Sequence, residues 1–164
     1  MPTLTEDQRA SFQDGYLAGA FADAADCCEG GLLPSGLSDS DRLLLRQAAL
    51  AMEAVLGDDL IEALMCVGYD GHRAGMDGWL TQHHHGAGFW DRIEIERGGL
   101  GVRLTAAAHR LPEVSVFGGE DGLAHVDSLF DWRSYVQAAG RDDLLRRGGP
   151  AIDDAARRTG PRGP

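Results

Sequence analysis

The residue pattern and the glycine content of the chain change at Gly68, and this change limits the folds that the chain can adopt. Residues 5–68 place apolar side chains at helical spacing, whereas the 55 residues from Gly68 to Gly122 contain 12 glycines. Average usage would give about 4 glycines in a segment of that length. Because glycine weakens helices and favours turns and close backbone contacts, we predict helices first and short strands afterwards.

Three helices are predicted in the front segment. A capping-box pattern at residues 5–8 begins the first helix, which is expected over residues 6–28. Ser38 is the N-cap candidate of the second helix, and Gly57 is the residue expected to end it. A third helix is expected between Gly57 and Gly68.

The glycine-rich segment contains four short runs of β-like composition, namely GWLT, GFWDRIEI, VSVF and LAHV. The last two flank a glycine-rich turn and predict a hairpin. Helices are expected between and after these runs, over residues 100–111 and 127–139. The predicted fold class is α+β, with N-terminal helices followed by a small, mainly antiparallel sheet of three or four strands with interleaved helices.

The same patterns predict the domain organisation. Residues 1–138 form one α+β domain, with a helical front at 5–68 and a mixed α/β half at 69–138. Residues 139–164 lose aromatic side chains and gain Gly, Pro and charges, which is the composition of a flexible tail.

Charge is distributed unevenly along the chain. The net charge is −11, and residues 1–70 hold 13 Asp and Glu against 3 Arg. Phosphates repel such a surface, so we expect no direct nucleic-acid binding and a host-protein partner with a basic surface. Simple solubility is the alternative explanation of the acidic charge.

Composition also bears on the setting of the protein. The chain has no Lys and no Asn, which indicates a GC-rich genome such as that of an actinobacterium or one of its phages. An odd number of cysteines and an acidic, polar N-terminal stretch predict a cytoplasmic protein. No run of 18 apolar residues is present, so no membrane span is expected.

The densest chemistry lies in WLTQHHHGAGFWDR, residues 79–92. If this segment is extended, His83 and His85 share a face, and a hairpin could bring Asp77 and Asp91 towards them. Two imidazoles and a carboxylate suit a catalytic metal, so His83, His85 and Asp91 are weak metal candidates. The chain lacks HExxH and CxxC spacing, and a polar turn with a structural imidazole is the competing interpretation.

The aromatic side chains of this stretch allow two roles. Trp79, Phe89 and Trp90 carry a large apolar area, and we expect one or two of them to anchor the core. A ring left exposed would instead serve as an interface anchor.

Two segments, AGMDGWLTQHHHGAGFWDR and LGVRLTAAAHRLPEVSVFGGEDG, resemble a family of small uncharacterised proteins from phages and bacteria. The family motif is D-x-W-L-T-x-x-x-H-G-A-G-F-W-D-R, and the resemblance covers residues 60–126. The chain departs from the wider family pattern at Met76, Gly78, Gln82, His83 and His84. The resemblance therefore implies that His85 alone of the triplet belongs to the motif, and it implies a phage or mobile-element setting.

These observations define one candidate functional cluster and rank the functions. The cluster consists of Asp77, Trp79, His85, Phe89, Trp90, Asp91 and Arg92, and His83 and His84 are treated as local decoration. The leading hypothesis is a non-catalytic accessory protein, without a cofactor, that binds a host protein, for example as an acidic inhibitor or nucleic-acid mimic. The alternatives are a small metal-binding domain or hydrolase using Asp77, His85 and Asp91, and a structural or virion-associated subunit.

Overall fold

The computed structural model describes residues 3–27, 35–128 and 130–141. Helices dominate the described residues, the N-terminal ones come first, and a small antiparallel sheet follows, so the predicted α+β class is confirmed. The helices and strands, in chain order, are α1 (Glu6–Asp26), α2 (Asp39–Leu64), α3 (Gly71–Gln82), α4 (Leu100–Ala108), β1 (Ser115–Gly118), β2 (Ala124–Asp127) and α5 (Trp132–Ala138).

The helix starts in the front segment follow the predicted caps. The Thr5 side chain accepts from the Gln8 backbone N–H, and the Gln8 side chain accepts from the Thr5 backbone N–H, which completes the capping box. Ser38 caps α2 by accepting from the N–H of Asp41. Gly57 interrupts α2 with φ of 54°, at the point where the second predicted helix gives way to the third.

Two of the four predicted strands are wrong. The GWLT run lies inside α3, and the GFWDRIEI run forms short 3₁₀ turns at Phe89–Asp91 and Ile93–Ile95. A third 3₁₀ turn, Arg97–Gly99, leads into α4. The sheet of the described residues therefore has two strands, not three or four.

The predicted hairpin is confirmed. Strands β1 and β2 pair in antiparallel register, with Val116 opposite Val126 and Phe117 opposite His125. Leu37 forms an isolated bridge with Ala124, so the hairpin also touches the segment that leads into α2.

Helix α3 forms despite its glycines because of its cap and its packing. The Asp70 side chain accepts from the Arg73 N–H and begins the helix. The glycines reduce helix propensity, but Gly71 and Gly75 lie where α1 packs directly on α3, and Gly78 faces Met52 of α2 and Phe89. Tertiary packing thus outweighs the local preference that suggested strands and turns.

The contact between α1 and α3 is a reciprocal glycine contact. A Cβ on Gly15 of α1 would overlap the carbonyl oxygen of His72, and one on Gly75 of α3 would overlap that of Phe12. Gly19 adds a third close approach, since a Cβ there would lie 2.8 Å from the Trp79 ring. The two backbones therefore meet at a distance that only glycine allows.

One hydrophobic core runs through all five helices. Its largest fully buried side chains are Trp79, Trp132, Tyr16, Phe12, Phe89, Leu45, Leu50, Met52, Leu60, Ile95, Leu100 and Leu104. A buried ion pair joins α1 to α2, with Arg9 Nη2 donating to Glu53 Oε1 at 2.8 Å and Nε donating to Oε2 at 2.9 Å. Two parallel hydrogen bonds of this kind are the strong form of an arginine–carboxylate pair.

The last helix starts later than expected. Asp131 caps α5 by accepting from the Ser134 N–H, whereas the sequence suggested a helix over residues 127–139. The predicted tail falls mostly at residues 142–164, outside the described residues. None of the described helices has the length and apolarity needed to cross a membrane.

The glycine contact gives a stability prediction. Gly75→Ala forces a methyl group into the Phe12 carbonyl, so we expect a loss of at least about 3 kcal/mol in the free energy of unfolding. Gly86→Ala is the matched control, because a Cβ there meets nothing within 4 Å. Urea unfolding followed by circular dichroism measures both, and equal stability of the two variants would contradict the packing described.

Candidate functional site

A buried carboxylate organises the candidate cluster. Asp77 of α3 is 1% exposed and accepts from Arg92 Nε at 2.9 Å and from the Tyr69 hydroxyl at 2.8 Å. The Asp77 carboxylate raises the pKa of the Arg92 guanidinium, and burial together with the same carboxylate raises the pKa of Tyr69. Asp77 therefore links α3 to Tyr69, which precedes the helix, and to Arg92, which follows it.

The turn at Phe89–Asp91 is fixed by two hydrogen bonds and by a buried ring. Asp91 Oδ1 accepts from the Gly88 N–H at 3.0 Å, and the Phe89 N–H donates to Thr81 Oγ1 at 3.1 Å. The Phe89 ring is fully buried. Gly88 is required here, because a Cβ at this position would overlap the Thr81 hydroxyl.

The Trp90 side chain projects from this turn into solvent. Its side chain is 55% exposed, whereas Trp79 and Phe89 are fully buried. Two of the three aromatic residues are therefore core anchors, and the third has the exposure expected of an interface anchor.

His85 contacts α1. Its Nε2 lies 2.9 Å from Asp23 Oδ2, the same oxygen that accepts from the Trp79 indole N–H at 2.7 Å. Asp23 thus joins the buried tryptophan and the half-exposed histidine to one helix. No local pattern marks Asp23 as a site residue, because its partners lie 56 and 62 residues further along the chain.

His83 has a structural role, which fits the interpretation of a polar turn with a structural imidazole. Its ring stacks on Trp79 with centroids 3.7 Å apart, and Nε2 accepts from the Val114 N–H at 2.8 Å. Nδ1 lies 2.8 Å from the Trp79 carbonyl oxygen, so the neutral Nδ1–H tautomer satisfies this carbonyl and the Val114 N–H, while the Val114 carbonyl lies 3.1 Å from Nε2. Burial lowers the pKa of His83, which favours this neutral form.

Gln82, the residue before His83, also contacts the chain segment at residues 112–114. Its Oε1 accepts from the Tyr16 hydroxyl at 2.6 Å, and its Nε2 donates to the Pro112 carbonyl at 2.6 Å. Gln82 and His83 therefore fasten residues 112–114 to the end of α3.

His84 occupies the exposed side of this turn. Its φ is 55°, its ring lies 4.5 Å from the His109 ring, and its Nε2 lies 3.7 Å from Glu113. The expectation of an extended segment at the triplet is wrong, because His83 caps α3 and His84 turns the chain back.

The suggested metal ligands have separate partners. His83 bonds to backbone groups, His85 contacts Asp23, and Asp91 accepts from the Gly88 N–H. Across the described ranges, no three His, Cys, Asp or Glu side chains are grouped to hold a metal ion. Asp77 is likewise engaged by Arg92, so the cluster acts as a scaffold for the turn.

Exposed apolar side chains occur in the turn and in the segments that contact it. Among the described residues, seven large hydrophobic side chains are exposed, and five of them are here called the Trp90 surface: Met65, Val67, Trp90, Ile93 and Val102. Of these five, the sequence analysis selected Trp90 alone. The others occupy helix ends and turns, where the helical and β patterns do not predict exposure.

No protein-family model, curated protein or solved structure matches the chain. The resemblance to the phage and bacterial family therefore stays a prediction.

Substitutions of His83 and His84 are expected to differ in their effect on stability. His83→Ala removes two hydrogen bonds and a stacked ring, so we expect a loss of about 2 kcal/mol in unfolding free energy. His84→Ala is the control, and we expect a change within about 0.5 kcal/mol because His84 is exposed. Chemical denaturation of both variants tests this, and a larger loss for His84→Ala would contradict the assignment.

The lowered pKa of His83 adds a pH dependence. The unfolded chain binds this proton more readily than the folded chain, so the contribution of His83 is present above pH 6.5, its ordinary pKa, and declines as the pH falls below it. We expect wild type to lose more stability than His83→Ala between about pH 7.5 and about pH 5. Identical pH profiles would show that His83 is not held neutral.

Proposed function

We propose that the protein is a non-catalytic accessory protein of a phage or mobile element, which binds a host protein in the bacterial cytoplasm through the Trp90 surface. The observation that carries this proposal is an exposed tryptophan on a turn held by buried groups. A tryptophan fixed before binding loses little conformational entropy on association. Tryptophan is also the residue type most enriched in binding hot spots.

The three segments of the Trp90 surface lie beside one another. A Cβ on Gly101, next to Val102, would lie 2.6 Å from the carbonyl oxygen of Phe89, next to Trp90. Arg73 Nη1 donates to both the Gly68 carbonyl and the Glu94 side chain, which brings the end of α2 to the second 3₁₀ turn. These contacts support one shared apolar surface rather than scattered exposed residues.

Acidic side chains border this surface. Asp59 and Glu62 of α2 both accept from Arg103, and the Glu62 side chain is 59% exposed. Arg103 partly compensates these two carboxylates, so the argument for a partner with basic surroundings rests on the net charge of −11. An acidic inhibitor of a host defence or nucleic-acid enzyme fits that description.

The scaffold geometry favours binding over catalysis. A hydrolase using Asp77, His85 and Asp91 would need the three to converge on a substrate, yet each is bonded to a different protein group. Hydrogen bonds of this kind hold the shape of the turn and do not direct the three side chains at one common point. The same geometry supplies no observation that favours a virion subunit.

Affinity capture tests the proposed surface. A tagged protein is incubated with an actinobacterial lysate as wild type, Trp90→Ala and Phe117→Ala, where Phe117 is an exposed ring on β1 outside the Trp90 surface. We expect a partner that wild type and Phe117→Ala retain and that Trp90→Ala binds about 30-fold more weakly. Retention should also fall with added salt. Equal retention by all three proteins, or no partner for wild type, would refute the proposal.

Fluorescence quenching tests the exposure of Trp90 independently of a partner. Trp79 and Trp132 are buried, so acrylamide should quench mainly Trp90. We expect Trp90→Phe to remove most of the quenchable emission while the unfolding free energy changes by less than about 0.5 kcal/mol. A quenchable fraction that survives this substitution would show that the exposed ring is another tryptophan.

A further inference from the structure

A histidine on β2 lies between two carboxylates from different parts of the chain. His125 Nδ1 is 3.1 Å from Asp41 Oδ2 in the first turn of α2, and His125 Nε2 is 2.8 Å from Asp121 Oδ2 in the hairpin turn. The Asp41 and Asp121 side chains are 14% and 52% exposed. The imidazole therefore bridges the hairpin to the N-terminal end of α2, the opposite end from Asp59 and Glu62.

Backbone contacts converge on the same place. The Val126 N–H donates to Asp41 Oδ1 at 3.3 Å, and the Ala124 N–H donates to the Gly36 carbonyl at 2.8 Å. The Ser35 N–H donates to the Gly122 carbonyl at 2.8 Å. The hairpin thus also holds the segment that enters α2, so its attachment sets the position of that segment.

The protonation state decides how many of these bonds exist. A charged imidazole donates from both nitrogens and satisfies both carboxylates, whereas a neutral one has a single N–H and directs a lone pair at the other carboxylate. We propose that His125 is a proton-operated latch, which holds the β-hairpin against the N-terminal turn of α2 with two side-chain hydrogen bonds when its imidazole is charged and with one when the imidazole is neutral. This proposal does not depend on the Trp90 surface.

Both charged groups bonded to His125 are carboxylates, and both raise its pKa. Within the described residues, the charged groups bonded to the imidazole are Asp121 from the turn and Asp41 from α2. Strand β1 contributes the Phe117 ring, 5.7 Å away, and no described charged side chain of α1 bonds to it. The hydrogen bond to Asp121 is the main cause of the raised pKa of His125, and the same bond lowers the pKa of Asp121.

The sign of the pH effect follows from the raised pKa. The folded state binds this proton more readily than the unfolded state. The latch therefore contributes fully below pH 6.5, the ordinary pKa of His125, and its contribution is lost as the pH rises through the folded-state pKa. The direction is opposite to that of His83, so the two histidines are separable in one titration.

An NMR titration of the His125 ring protons tests the latch directly. We expect the pKa of His125 in the full chain to lie above 6.5, and to fall towards that value in Asp121→Asn. Asn keeps an oxygen that can accept from the Leu123 N–H, so the turn itself is preserved. A pKa at or below 6.5 in wild type, or no change in Asp121→Asn, would overturn the proposal.

Hydrogen exchange tests the structural consequence. Between about pH 5.5 and about pH 8.5, protection factors of residues 115–127 should fall about tenfold relative to those of α3. Asp121→Asn should reduce that difference, because Asp41 still faces the imidazole, and His72→Gln, which alters an exposed histidine on α3, should retain it in full. Equal pH dependence in wild type and Asp121→Asn would show that the hairpin is held without the latch.

Discussion

The close contact of α1 with α3 is the constraint on which the rest of the structure depends. Gly15 and Gly75 face carbonyl groups of the opposite helix, at a separation that excludes any side chain. Dispersion forces rise steeply at such separations, and the packed backbones resist sliding because each glycine fits one position. The crossing point of the two helices is therefore specified by residues that contribute no side chain of their own.

The polar contacts at the end of α3 follow from this crossing. It places Asp23 beside Trp79 and His85, and it places Tyr16 beside Gln82. The chain after α3 is then held by Arg92 against Asp77, so the intervening turn has little freedom. A rigid turn with one exposed tryptophan is the expected result, and it is the feature that most resembles a binding surface.

Local signals predicted the parts of the fold that depend on neighbouring residues. The caps at Thr5 and Ser38, the break at Gly57 and the hairpin were all readable because turn and cap chemistry acts within a few residues. The GWLT run was wrongly predicted as a strand, because the glycines of α3 pack against residues that are distant in the sequence. The structural role of His83 could not be predicted from neighbouring residues either, because its partner Val114 lies 31 residues away.

The most direct test of the account is an NMR measurement of the contact between the helices. A Cβ on Gly75 would lie 2.8 Å from the Tyr16 nitrogen, so the Gly75 Hα that occupies this direction must lie close to the Tyr16 amide proton. The account predicts a strong nuclear Overhauser effect between these two protons. Its absence, in a spectrum where effects within α1 and within α3 are resolved, would contradict the glycine contact and the scaffold built upon it.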